Sequence, residues 1–261
     1  MIANFFRSLE EHGVAYLLIS GQATVLYGAS VFSEDIDLWL QPTSDNIERF
    51  VSVLRGSQAR YYKLTPRMNV ENLARGHGFH FIVPDESGEA FLDIMGQPPR
   101  VGDFATSFEK VRWMESEWGR LPTVALKDLV EIKKTQRIAD YPIVSKLAVK
   151  WFDQPECVPS AMEWEWAGSN IFTTDHLREL FERQPAAIAV ACKLAPAMDA
   201  FAGALVAGDE VPAEIEDSAS RFLQERIHSL QRADRQYWRP IIDDLRKMRA
   251  QGELMREDEP V

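Results

Sequence analysis

Residues 17–42, LLISGQATVLYGASVFSEDIDLWLQP, decide how the chain is read. An apolar run over 17–19 meets a Ser20-Gly21 pair, and small and apolar residues follow as far as Gly28. That order predicts a buried strand, a tight turn and a helix packed on a sheet. A second apolar run, EDIDLWLQP, is stopped by Pro42 and predicts another strand. Two aspartates, Asp35 and Asp37, stand in it one residue apart. In a strand, residues i and i+2 project to one face, so the two carboxylates should point together while Ile36 and Leu38 face the opposite layer. Carboxylates held side by side repel, and burying them costs several kcal/mol unless something positive compensates. A hard divalent cation such as Mg²⁺ does so directly, because it takes oxygen ligands from carboxylates and phosphates.

A third carboxylate lies downstream. In FHFIVPDESGEAFLDIM (79–95) two apolar runs flank the turn-rich PDESGE, which predicts an antiparallel hairpin with Asp93 inside its second strand. If that strand neighbours the one bearing Asp37, Asp93 reaches the same point. Elsewhere in this half, Ile2, Phe5, Phe6 and Leu9 have helical spacing ended by Gly13. A further helix is expected from Ser44, read as its N-cap, to Arg55. LPTVALKDLVEIKKTQR (121–137) reads as a short strand or extended entry followed by a helix from about Leu126.

The character changes near residue 150. WFDQPECVPSAMEWEWAGS (151–169) holds two prolines and three tryptophans and reads as a linker or an irregular packed segment. Helical periods are expected over roughly 174–183, 185–206, 212–231 and 234–250, and REDEPV (256–261) as a frayed charged tail. The expected organisation is an α/β domain with a mixed sheet over residues 1–150 and an all-α domain over 151–261.

The chain has 261 residues, which suits two domains of ordinary size, and 46% of them are hydrophobic, enough for packed cores. A formal charge of -11 argues against an average surface that grips nucleic acid through its phosphates. Cys157 and Cys192 lie far apart without metal-ligand spacing and are read as reduced thiols. The N-terminal run lacks a basic start and a small-residue cleavage site, and no apolar stretch approaches the ~20 residues that cross a bilayer. A cytoplasmic protein without a membrane partner is expected.

The pattern ISG…SEDIDLWL…FLDIM resembles the nucleotidyltransferase superfamily of the DNA polymerase β type, nearest its bacterial branch of minimal nucleotidyltransferases and abortive-infection (AbiEii-like) type IV toxins. The match lies at Gly21, Ser33, Asp35, Asp37 and Asp93, and continues in ALKDLVEIKKTQRIAD at Leu126, Asp128, Leu129, Lys133, Arg137 and Asp140, so it covers about residues 10–150. The resemblance implies an enzyme that moves a nucleoside monophosphate from an NTP to an acceptor hydroxyl. Asp35, Asp37 and Asp93 would be its catalytic residues and would hold two Mg²⁺ ions. Ser20, Gly21, Ser33, Lys133 and Arg137 would bind the nucleotide, with Ser20 and Gly21 offering backbone N–H groups and Lys133 near the leaving pyrophosphate. It further implies an acceptor RNA or protein and, for the toxin branch, an antitoxin partner. Two positions depart from the pattern: the family usually has Gly at Ser20 and often a basic residue at Val31, which bears on the substrate.

Two other readings stand beside it. One is a non-catalytic member that binds nucleotide or a partner, suggested by Ser20 and Val31. The other is an aminoglycoside-modifying nucleotidyltransferase acting on a small molecule, to which EWEW and the acidic charge point weakly. His77 and His80 in RGHGFHF fall on opposite faces of a strand, an odd spacing for a metal site, and read better as positioning an acceptor. Lys63, Arg67 and Arg75 read as a solvated face that could serve a nucleotide pocket. Trp151, Trp164 and Trp166 read as packing, and the helix bearing Trp238, Ile241, Ile242, Leu245 and Met248 as a core helix of the C-terminal domain.

Overall fold

The structure, a computed structural model, describes residues 2–85, 88–191, 195–208 and 210–261. It is a mixed α/β chain of two compact units: one comprises Met1–Ile132 with Gln236–Val261, the other Lys133–Arg235. The division expected at residue 150 falls inside the second unit.

The first unit is built on one sheet. Its strands are β1 (Tyr16–Ile19), β2 (Ile36–Leu40), β3 (Arg60–Tyr61), β4 (Gly78–Asp85), β5 (Gly88–Met95), β6 (Arg112–Ser116) and β7 (Gly119–Thr123), in the order β3-β4-β5-β2-β1-β7-β6. The pairs β2–β5 and β1–β7 are parallel and the others antiparallel. The helices are α1 (Ile2–Glu11), α2 (Ser20–Leu26), α3 (Ser44–Gly56), α4 (Val70–Ala74), α5 (Phe104–Phe108) and α6 (Leu126–Ile132). The expected 79–95 hairpin is present as β4–β5; residues 86 and 87 at its tip lie outside the described residues. The short strand read from Leu121 is the end of β7, whereas its hairpin partner β6 was not foreseen, because β6 alternates between half-buried and exposed residues and carries no continuous apolar run.

Alternation along the strands sorts the side chains into two layers. Tyr16, Leu18, Ile36, Leu38, Leu40, Phe79, Phe81, Leu92 and Ile94 join one buried cluster with Phe5, Phe6 and Leu9 of α1 and Ile47, Phe50, Val53 and Leu54 of α3. Each such side chain contributes about 1.5–3 kcal/mol by leaving water. The intervening residues, among them Asp37, His80 and Asp93, therefore belong to the other face. α3 begins at Ser44 as expected, but its N-cap is Thr43, without a side-chain capping bond.

The second unit contains α7 (Asp140–Lys150), α8 (Ala161–Ser169), α9 (Thr174–Arg183), α10 (Ile188–Ala191), α11 (Pro196–Ala207) and the first part of α12 (Ala213–Gln251). Its core gathers Leu177, Leu180, Phe181, Met198, Phe201 and Leu223. The stretch read as irregular holds α8, capped by Ser160, whose Oγ accepts from the Glu163 N–H. Trp151 packs edge-on against Trp166 at 5.9 Å and donates to Glu163. Two helices expected over 212–231 and 234–250 are one, since no Gly or Pro stands near 232–233 and Pro240 is accommodated inside α12. Cys157 is half-buried, and Cys192 lies outside the described residues.

The end of the chain corrects the expectation of a frayed tail. Leu254 bridges to Pro66 and Pro260 to Arg60. Main-chain bonds join Met255 to Thr65, Asp258 and Glu259 to Tyr61, and Val261 to Ala59. The tail thus runs along the otherwise open edge at β3, where main-chain donors and acceptors need partners. Its charges face water while Met255 and Val261 pack on the core. Tyr237 and Asp244, in the last part of α12, likewise belong to the first unit. No described helix is long and apolar enough to cross a membrane.

Candidate functional site

The middle of the sheet brings the sequence-predicted carboxylates into register. Asp37 of β2 pairs with Asp93 of β5, and Asp93 in turn with His80 of β4. On the other side Asp37 is opposite Ile19 of β1. Ile19, Asp37, Asp93 and His80 thus form one row across four adjacent strands, with about 4.8 Å between neighbouring strands. Asp37 is half-buried, as are the side chains of Asp93 and His80, each 27% exposed. His80 Nδ1 lies 2.8 Å from Asp93 Oδ1. A carboxylate accepts, so the imidazole Nδ1–H is the donor in this bond.

Asp35 occupies a different position from the one expected. The strand begins at Ile36, so Asp35 sits in the bend before it and is exposed. The i, i+2 argument for the pair therefore does not apply to this residue. The preceding loop is held by short-range bonds: Gln22 Nε2 donates to the Ser33 carbonyl at 2.8 Å, and Ser33 Oγ to the Asp35 carbonyl at 3.3 Å. Val31 and Phe32 at the crest of the loop are 96% and 69% exposed.

The Ser20-Gly21 turn has a steric explanation. A Cβ on Gly21 would stand 2.0 Å from Ser33 Oγ and 2.9 Å from Ser33 Cβ, so only glycine lets the loop bearing Ser33 close on α2. Ser20 itself has φ +55°, in the left-handed region that favours glycine. The residue that departs from the family pattern is thus one whose backbone would suit the pattern's glycine.

Lys133 and Arg137 lie beyond α6, in the segment that opens the second unit, not on a helix as expected. Lys133 is buried, and its ammonium meets Asp140 Oδ1 at 3.2 Å; Thr135 Oγ1 donates to the other oxygen of the same carboxylate. Its charge neutralises a buried carboxylate at the start of α7. Arg137 is exposed.

His77 precedes β4 and is fully buried, with Nε2 3.0 Å from Asp244 Oδ2, so the two histidines serve separate places. The hydrogen bond from His77, assisted by Arg75 and Lys247, holds the Asp244 carboxyl below its ordinary range. Arg75 donates to Glu71 and Asp244, and Lys63 lies over the Tyr62 ring at 4.6 Å. These charges already have protein partners; Arg67 is exposed. A surface hollow of about 460 Å³ between α1 and the β6–β7 hairpin, lined by Phe6, Tyr16, Phe108, Trp113 and Trp118, has Glu10 as its sole carboxylate and belongs to a different part of the sheet.

Among the described residues no group of three or more His, Cys, Asp or Glu side chains converges as a ready metal cage. The pair Asp37 and Asp93 nonetheless fits Mg²⁺, which commonly takes one or two carboxylates and completes its shell with water and phosphate oxygens. No family model and no curated protein matches this chain.

Proposed function

We propose that the chain is a divalent-metal-dependent nucleotidyltransferase, which transfers a nucleoside monophosphate from an NTP to a hydroxyl on RNA or protein. The observation that carries this reading is the register of Asp37 with Asp93 on one face of the sheet, beside the loop of Ser33 and Asp35. In this reading Asp37 and Asp93 hold Mg²⁺, with Asp35 completing the set from the bend. Two Mg²⁺ ions bound there would supply positive charge against the phosphates. The acceptor oxygen bonds to the α-phosphorus, the bond to the β-phosphate oxygen breaks, and pyrophosphate leaves. Asp93 takes the hydroxyl proton. Ser20, Gly21 and Ser33 contact the triphosphate.

Incubation of the chain with α-labelled NTPs, Mg²⁺ and a cell lysate tests this. Label on a macromolecule that disappears in Asp37→Asn and Asp93→Asn supports it. Absence of transfer from all four NTPs, with aminoglycosides also offered as acceptors, overturns it.

A second reading, a non-catalytic member that binds nucleotide, is favoured by the exposed position of Asp35, which leaves no three-carboxylate cage among the described residues. Calorimetric binding of an NTP without turnover supports that reading over the first. A role as a toxin with a cognate antitoxin is a narrower form of the first reading, tested by growth arrest on expression that depends on Asp37.

A further inference from the structure

We propose that His80 is the positioning residue for Asp93, orienting its carboxylate as a divalent-cation ligand beside Asp37. The inference rests on the metal-dependent reading above and adds a residue that the aspartate pattern does not contain.

A free aspartate turns easily about its last torsion, because that well is broad and two-fold. Here one oxygen is held: His80 Nδ1 donates to Asp93 Oδ1 at 2.8 Å, and among the described residues this is the only side-chain bond Asp93 makes. The other oxygen keeps its lone pairs for a cation. His80 is itself fixed from several sides. Its backbone N–H donates to Thr65 Oγ1 at 3.2 Å and its carbonyl accepts from the Tyr62 N–H at 2.9 Å. Thr65 is fully buried and donates its hydroxyl to the Tyr62 carbonyl. The ring lies over Gly78, where a Cβ would be 3.5 Å from Nε2, so the strand leaves the imidazole a flat seat. The chain therefore aims the histidine, and the histidine aims the carboxylate.

An ordinary cross-strand pair would contribute to stability alone. Hydrogen-bond partners of metal-ligating groups act differently: their loss typically weakens metal binding about 10–100-fold. Cation affinity is therefore a readout that a merely structural pair would not move.

The test uses the full chain and Mn²⁺ as probe, with free Mn²⁺ followed by electron paramagnetic resonance in the absence of nucleotide. Wild type is compared with His80→Ala, His80→Gln, His80→Asn and Asp93→Asn, each checked for its melting transition. Asp93→Asn should lose most binding. His80→Ala and His80→Gln should raise the dissociation constant about tenfold or more, since glutamine reaches past the imidazole Nδ1 position. His80→Asn, whose amide N–H replaces Nδ1–H, should stay within about threefold of wild type. If His80→Gln or a folded His80→Ala binds as wild type while Asp93→Asn does not, the role of His80 is overturned and the metal site stands. If wild type binds no Mn²⁺, or Asp93→Asn binds unchanged, the metal-dependent reading and this inference fail together.

Discussion

Asp37 and Asp93 are direct neighbours across the parallel β2–β5 pair, and of the two only Asp93 receives a proton donor from His80. In the proposed reading both carboxylates hold Mg²⁺, which commonly takes one or two carboxylates. Asp37→Asn is therefore expected to lose nucleotidyl transfer. Transfer from an α-labelled NTP at the wild-type rate by Asp37→Asn would contradict it.

Gly21 and Ser33 set a second expectation. Gly21→Ala should destabilise the first unit by about 1–3 kcal/mol, the usual cost of forcing an extra methyl into a packed contact. Adding Ser33→Gly should restore most of the loss, because the clash is with Ser33 Oγ and Cβ. Urea denaturation of the single and double variants gives the coupling directly.

The pH dependence follows from Asp244. Its hydrogen bond from His77 lowers its folded pKa, so the folded chain binds that proton less readily than the unfolded chain. The resulting stabilisation is fully present above the ordinary carboxylate range near pH 4 and is lost as pH falls through the lower folded value. Asp244→Asn should be less stable than wild type at neutral pH, with the difference shrinking toward pH 3. Denaturant midpoints measured from pH 3 to pH 7 check this; a difference that grows on acidification would contradict it.

Removing residues 254–261 should lower stability by about 2–3 kcal/mol, since Met255 and Val261 leave the core and the β3 edge loses its main-chain partners. Thermal melting should fall by about 5 °C. Dimerisation through the bared edge, seen by light scattering, is the accompanying outcome.

Much of the first unit was legible because its elements announce themselves locally. Alternating apolar runs, with Gly13 and Gly28 at positive φ just past α1 and α2, mark α1, β1, α2, β2 and the β4–β5 hairpin. The register of Asp37 with Asp93 was conditional in the sequence, since pairing between separated strands depends on tertiary contacts rather than on period. The exposed bend at Asp35 was missed because a strand's first residue is not encoded by alternation. The Lys133–Asp140 pair was hidden by a motif read as one helix, whereas the backbone leaves the helix after Ile132. The hydrogen bond of His80 was one residue of alternation away from view: its place opposite Asp93 follows once the hairpin register is known. The paired tail could not be read from composition, because most of its bonds come from the main chain, with Asp258 adding a side-chain pair to Arg60.

The return of residues 236–261 to the first unit has a consequence for synthesis. A ribosome delivers residues 133–235, a self-contained set of helices, before it delivers the strip that seals β3. All seven strands have been delivered by residue 123, so it is the β3 edge that goes without its main-chain partners until the last residues arrive.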